Sequence, residues 1–191
     1  MDYKYFKNAV ELAKKIMKET IWPGDIVLDC TVGKGNDTLL LAELVGPLGK
    51  IYGFDVQIDA LDHTKKRLKE KGLANRVRLI HDGHENISNY IKDEKIKLVV
   101  FNLGYLPTGD HNIVTKPETT IQGIKTSLEL LDQNGVLLVT SYTGHIGGLE
   151  EKKIIEKFLY ELNQKKYSVL KFQFINQINN PPILYGVEKL N

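Results

Sequence analysis

Two spacings of apolar residues alternate along the chain. Strand-length apolar runs occupy 26–28, 51–54, 77–80, 97–101 and 136–140, too short for buried helices and bounded by polar or glycine-containing turns. Between them the spacing changes to three and four. Phe6, Val10, Ala13 and Met17 form one stripe within 3–20. Ile121, Ile124, Leu128 and Leu131 form another, and Ile154, Ile155, Phe158, Leu159 and Leu162 a third. Segments 39–44 and 58–71 are read as further helices, the second stopped by Gly72. Two more strands, 167–174 and 183–188, follow the last helix. Trp22-Pro23-Gly24-Asp25 and Asn134-Gly135 punctuate the chain as turns. Thr115 and Glu118, with Pro117 between them, have the spacing of a capping box that opens the helix beyond. Strands and helices in alternation predict an α/β chain.

Composition narrows the reading only a little. At 191 residues and 42% hydrophobic, the chain suits one domain, 1–191, with the helix at 3–20 packing on the core. A net charge of +2 permits a nucleic-acid partner without demanding one. The single cysteine, Cys30, reads as a small buried filler. Neither a leader nor a membrane-length apolar run is visible, so a cytoplasmic location and no membrane partner are expected.

The chemistry starts at 26–38, IVLDCTVGKGNDT. An apolar strand ends on Asp29, a loop carries Gly33 and Gly35, and Asn36-Asp37-Thr38 opens a helix. Glycines let a backbone approach a ligand, and a helix start presents free N–H groups. A dinucleotide fingerprint would need a third glycine where Thr38 stands. The order here, acid then D-x-x-x-G-x-G, resembles the first motif of class I S-adenosyl-L-methionine methyltransferases, with Thr31 in place of the usual first glycine. A second acid, Asp55, ends the next strand, and Gln57 opens the helix after it. One carboxylate can accept from both hydroxyls of a ribose. The third strand runs into Asp82, Gly83 and His84, candidates for an adenine edge in this class. His84 reads equally as an ordinary loop residue.

The fourth strand ends in Asn102-Leu103-Gly104-Tyr105-Leu106-Pro107, a variant of the (D/N)-P-P-Y motif of methyltransferases that alkylate nitrogen. An amine attacks through its lone pair, so its hydrogens need acceptors that aim that pair forward. An Asn oxygen and a neighbouring carbonyl serve, and neither is a competing nucleophile. Tyr105 is then a stacking candidate. Because Leu103-Gly104 replaces two prolines, a plain strand-ending turn is the other reading. After the fifth strand come Tyr142, Gly144, His145, Gly147 and Gly148. Between the last two strands lies Asn176-Gln177-Ile178-Asn179-Asn180-Pro181-Pro182, either a substrate-facing loop or a simple hairpin connection.

Together, the blocks at 29–38, 55–57, 82–85, 102–107, 118–120, 144–151 and 176–182 resemble the YtqB-like (MnmM-type) family of small methyltransferases, along nearly the whole chain. The resemblance implies a Rossmann-like class I methyltransferase fold. Its mostly parallel seven-stranded sheet would have an antiparallel last strand, with helices on both faces. It implies S-adenosylmethionine as cofactor, S-adenosylhomocysteine as product and no metal. The reaction implied is N-methylation of 5-aminomethyl-2-thiouridine at tRNA position 34. On this reading Asp29, Thr31, Gly33, Gly35, Asn36, Asp37, Thr38, Asp55, Gln57, Asp82, Gly83, His84, Asn102 and Leu103 bind cofactor. Asn102, Tyr105 and His145 are the catalytic candidates, with His145 or His84 removing a proton unless solvent does so. Tyr105, Pro107, Tyr142, His145, Asn179 and Asn180 would meet a tRNA anticodon stem-loop. Lysines of 65–71, or Lys152 and Lys153, would hold phosphates, although those of 3–20 read as a solvated face. A homodimer would enlarge the RNA surface. The alternatives are methylation of rRNA or of a small amine, and a non-catalytic module that binds cofactor or RNA.

Overall fold

The computed structural model describes residues 4–5, 7–104, 114–144 and 147–190. Seven strands form one sheet: β1 (Ile26–Asp29), β2 (Lys50–Asp55), β3 (Val77–His81), β4 (Ile96–Leu103), β5 (Leu131–Ser141), β6 (Tyr167–Phe172) and β7 (Ile183–Lys189). Their order is β3-β2-β1-β4-β5-β7-β6. The first five are parallel, and β7 runs antiparallel to both β5 and β6. The expected antiparallel last strand is therefore present.

Helices α1 (Ala9–Thr20), α2 (Asn36–Leu44) and α3 (Ile58–Glu70) cover one face; α4 (Pro117–Leu130) and α5 (Gly148–Tyr160) cover the other. Successive strand side chains point to opposite faces, and here both faces are packed. Val27, Ile51, Leu98 and Val100 join Ala13, Met17, Leu41 and Leu68 in one core. Leu28, Tyr52, Val99 and Phe101 join Ile124, Leu128, Ile155 and Leu159 in the other. Strands buried on both faces lose any polar alternation, which is why they read as short apolar runs.

Several boundaries differ from the sequence reading. Helix α1 starts at Ala9, where Asn8 Oδ1 accepts from Glu11 N at 2.8 Å as an N-cap; Phe6 lies outside the described residues. Leu131 belongs to β5, which starts earlier than predicted and passes an irregularity between the pairs made by Ile96 and Leu98. Asn134, at φ 53°, absorbs the turn chemistry within that strand. The capping box does not form. Lys116 is the N-cap of α4 and makes no side-chain cap bond, while Thr115 is engaged elsewhere. No helix among the described residues is long and apolar enough to cross a membrane.

Strand order reverses between β1 and β4, whose connections leave on opposite sides. Such a sheet opens a crevice at the carboxyl ends of its strands there. Asp29 pairs with Gly53 on one side and Val100 on the other, so the glycine loop emerges at the centre of that edge.

Candidate active site

A cavity of about 1050 Å³ occupies this crevice. Its floor is the loop after β1, with Thr31, Gly33, Asn36 and Asp37 among its lining. One wall carries Asp55 from the end of β2, Gln57 from the start of α3, and Asp82, Gly83 and His84 from the segment after β3. The other wall carries Asn102, Leu103, Gly104, Thr115 and Tyr142, and Asn180 reaches it from the loop between β6 and β7. Most of the proposed site residues thus converge.

The glycine loop is fixed by a network within this edge. Gly33 and Gly35 have φ of 51° and 75°, in the left-handed region that favours glycine. A Cβ at Gly35 would also lie 2.5 Å from the Thr64 hydroxyl. Gly33 N donates to Asp55 Oδ2 at 2.8 Å, and Gln57 N donates to Asp55 Oδ1 at 2.9 Å. Each oxygen of Asp55 therefore has one backbone partner and keeps a lone pair toward the cavity.

Both departures from the glycine pattern have structural causes. Thr38 Oγ1 donates to Asp29 Oδ2 at 2.6 Å, and Thr31 Oγ1 accepts from Asn102 N at 2.7 Å. The first hydroxyl closes the loop onto its own strand. The second ties the loop to β4. Asp29 is buried beneath the loop, and burial, followed by the charge of Asp37, raises its pKa to about 7. Asp29, Gly35 and Thr38 lie behind the residues that line the cavity. They shape the loop from behind.

Asn102 and Asp37 meet across the floor. Asn102 Nδ2 donates to Asp37 Oδ2 at 2.5 Å, leaving Asn102 Oδ1 as the atom able to accept from a ligand. Burial raises the Asp37 pKa, with the Asn102 amide and the Lys14 ammonium pulling it back. Tyr142 stands in the same region with its phenol pKa raised by burial and then by the charge of Asp37.

On the first wall, beside Asp55, the histidine side chain is turned inward. His84 is buried, its Nδ1 lies 3.2 Å from the Cys30 carbonyl, and its ring packs edge-on to Phe101. Its Nε2 is also buried and without a partner. Burial lowers its pKa and favours the neutral ring, which offers no exposed nitrogen to an amine. Asp82 accepts from Gly83 N, Asn86 Nδ2 and the Tyr90 hydroxyl, an arrangement that orders its loop; the Asn86 bond is the first cause of its lowered pKa. Asn179 and Asn180 have φ of 71° and 48°; Asn180 lines the cavity, whereas Asn179 does not. Tyr105, Pro107 and His145 lie outside the described residues.

Sequence reasoning missed Lys14 and Lys18, which border the cavity from α1 rather than forming a wholly solvated face. It also missed Glu151, buried in α5, whose carboxylate accepts from Thr115 Oγ1 at 2.8 Å and Thr120 Oγ1 at 2.7 Å. Thr115 Oγ1 accepts in turn from Gly104 N at 3.1 Å, and Thr115 N donates to Gly104 O at 3.0 Å. Glu151, 36 positions after Thr115, thereby braces the end of β4. A run such as Glu150-Glu151 looks solvated in one dimension, so only the helix's inward face distinguishes the second acid. Of the lysines considered for phosphate contact, Lys71 pairs with Glu43 and Lys152 with Glu156.

A reversal-point crevice, an acid on each of two neighbouring strand ends and an Asn ending β4 define a class I S-adenosylmethionine-dependent methyltransferase. The chain belongs to the family described as "Putative rRNA methylase", whose model matches residues 51–188. It is 32% identical to the Arabidopsis thaliana chloroplastic tRNA (mnm(5)s(2)U34)-methyltransferase, over 97% of this chain and 71% of that one. A Clostridium thermocellum crystal structure described as "putative rRNA-methylase" superposes with a TM-score of 0.94 at 47% identity, covering 96% of this chain and 98% of that one. A Streptococcus mutans structure described as a "putative methyltransferase" in complex with S-adenosylhomocysteine gives a TM-score of 0.89 at 39% identity over 96% and 99% of the two chains.

The donor set suits that cofactor. Asp55 can take a vicinal diol, and the backbone of Gly33 borders the cavity with no side chain in the way. When bound, S-adenosylmethionine supplies an electrophilic methyl on a sulfonium sulfur.

Proposed function

We propose that the chain N-methylates the aminomethyl group of 5-aminomethyl-2-thiouridine at position 34 of tRNA, giving 5-methylaminomethyl-2-thiouridine. The observation that carries this reading is the Asn102 amide. Its nitrogen is committed to Asp37, so its oxygen is the acceptor presented to a ligand. An acceptor without nucleophilicity of its own suits an amine whose lone pair must be aimed. The name of the plant relative supports the tRNA substrate.

In this reading Asn102 Oδ1 and a carbonyl of Leu103 or Gly104 accept the amine's hydrogens. Asp55 holds the ribose of the cofactor, and Gln57, Asp82 and Gly83 border its adenosine. Tyr142 flanks the splayed base, as single-stranded loops require for recognition, and Asn180 contributes polar contact. Tyr105, Pro107 and His145, outside the described residues, keep the substrate roles that the family resemblance implies.

The test is nucleoside mass analysis of tRNA bearing 5-aminomethyl-2-thiouridine, incubated with protein and S-adenosylmethionine. The expected result is one added methyl on that nucleoside. Methyl transfer to rRNA or a small amine, with none to this tRNA, would overturn the substrate while keeping the class.

A further inference from the structure

An aminomethyl group is an ammonium ion near neutral pH, and an ammonium ion has no lone pair. Asn102 can orient an amine but cannot take its proton. His84, the described histidine on the cavity wall, has its Nδ1 against the Cys30 carbonyl and its Nε2 shielded. Among the described residues, four acids line the cavity: Asp37, Asp55, Asp82 and Glu85. Asp55 is tied to two backbone N–H groups on the β2 side, and Asp82 receives three donors within its own loop. Glu85 stands beside Gly83, on the same wall. Asp37 alone of these acids touches Asn102.

We propose, on the footing of the amine-methylation reading, that the Asp37 carboxylate takes the proton from the substrate ammonium, so that Asp37 and Asn102 work as a pair. This assigns Asp37 to the substrate amine rather than to the cofactor. One N–H bond of the ammonium breaks, its electron pair stays on nitrogen, and an O–H bond forms on Asp37. The freed lone pair then forms the new C–N bond as the methyl's C–S bond breaks, with that electron pair remaining on sulfur. The product leaves as a secondary ammonium ion, and Asp37 returns its proton to solvent.

The surroundings favour this transfer. Partial burial brings a carboxylate and an ammonium closer in basicity, because desolvation disfavours both charged forms. From α1, Lys14 lies within electrostatic reach of Asp37 and is held by Glu11 at 3.0 Å. From β1 the buried Asp29 faces it, and Tyr142 does so beyond β5; the β4 contact, Asn102, is neutral. The Lys14 ammonium acts against burial and favours the carboxylate form of Asp37.

The test is Asp37→Asn, which still offers Asn102 an acceptor oxygen while removing the charge. Its S-adenosylmethionine affinity by calorimetry should stay within about threefold of wild type. At pH 7 kcat/KM should fall by about 10²-fold or more, the usual scale for a lost general base. The deficit should shrink as pH approaches the free amine's own pKa, roughly 10 for an alkylamine. A deficit constant across pH, or an equal loss of cofactor affinity, would overturn the proposal. A second measurement needs no variant. Wild type should bind an anticodon stem-loop carrying the aminomethyl group several-fold more tightly than one carrying a hydroxymethyl group. Equal binding would also overturn it. If wild type methylates no aminomethyl-tRNA, the substrate reading and this proposal fall together. If wild type methylates and Asp37→Asn keeps the wild-type profile, only the proposal falls.

Discussion

The two walls of the cavity are built by different means. On the cofactor side, short loops follow β1 and β2 directly, and backbone N–H groups of Gly33 and Gln57 meet one carboxylate, Asp55. Geometry there follows from residues close to strand ends. On the substrate side, hydroxyls and a buried acid hold the end of β4: Gly104 to Thr115, Thr115 and Thr120 to Glu151. A cofactor common to many enzymes can be held by backbone and one acid. A particular amine needs side chains placed from several elements, which leaves the second wall dependent on packing far from the chemistry.

Substitutions can break this contrast, starting with the largest effect. Asn102→Ala should cut turnover by about 10² to 10³-fold, the scale of removing one preorganised polar group, while cofactor affinity moves little. A parallel loss of cofactor binding would show that the two walls are not separable. Asp55→Ala should do the converse, weakening S-adenosylmethionine by roughly 10 to 100-fold, since hydrogen bonds to a charged group contribute about 1.5–3 kcal/mol. Turnover at saturating cofactor should be far less affected. Unchanged affinity in calorimetry would remove Asp55 from the ribose.

Glu151→Ala tests the distant brace. It leaves the buried Thr120 hydroxyl and the half-buried Thr115 hydroxyl without their acceptor and should lower stability by about 2 kcal/mol, read from a denaturant midpoint at unchanged slope. Its activity loss should appear mainly as a raised KM for RNA, because the end of β4 would be less well held. An unaltered KM would reduce Glu151 to a packing role.

A last test concerns stability alone, through the pH dependence contributed by Asp29. Burial raises its folded pKa to about 7, above the roughly 3.9 of an unfolded aspartate. Between those values the folded state holds the proton and the unfolded state does not, so this group makes stability fall as pH rises. The decline runs from about pH 4 to about pH 7 and is complete above that. Asp29→Asn should flatten that portion of the melting-temperature profile. A variant retaining the wild-type slope would place the titration elsewhere.

Much of this arrangement was legible in one dimension, and the reason is local. Asp29, the two glycines and Asp55 lie at or just past strand ends, and in a parallel sheet every strand end meets the same crevice. Apolar runs marked the strands, so residues following them converged without knowledge of packing. Asn102 was legible for the same reason. The adenine-side residues were only half legible: sequence placed His84 beside the cavity but could not show its ring turned inward against Phe101.

What the sequence by itself determined, then, was the class of fold, the order of its elements and the strand-end residues around the crevice. Period-two and period-3.6 patterning and glycine placement are properties of neighbours along the chain. Only the tertiary structure decided which groups touch. It bonded Thr38 to Asp29 beneath the glycine loop and turned Thr115 from a helix cap into a clasp on Gly104. It set Asp37 against Asn102, 65 residues apart, and brought Glu151 inward. Hydrogen bonds and burial between distant segments leave no periodic trace, because each depends on where two separate backbones happen to be brought by the packing of the sheet and its helices.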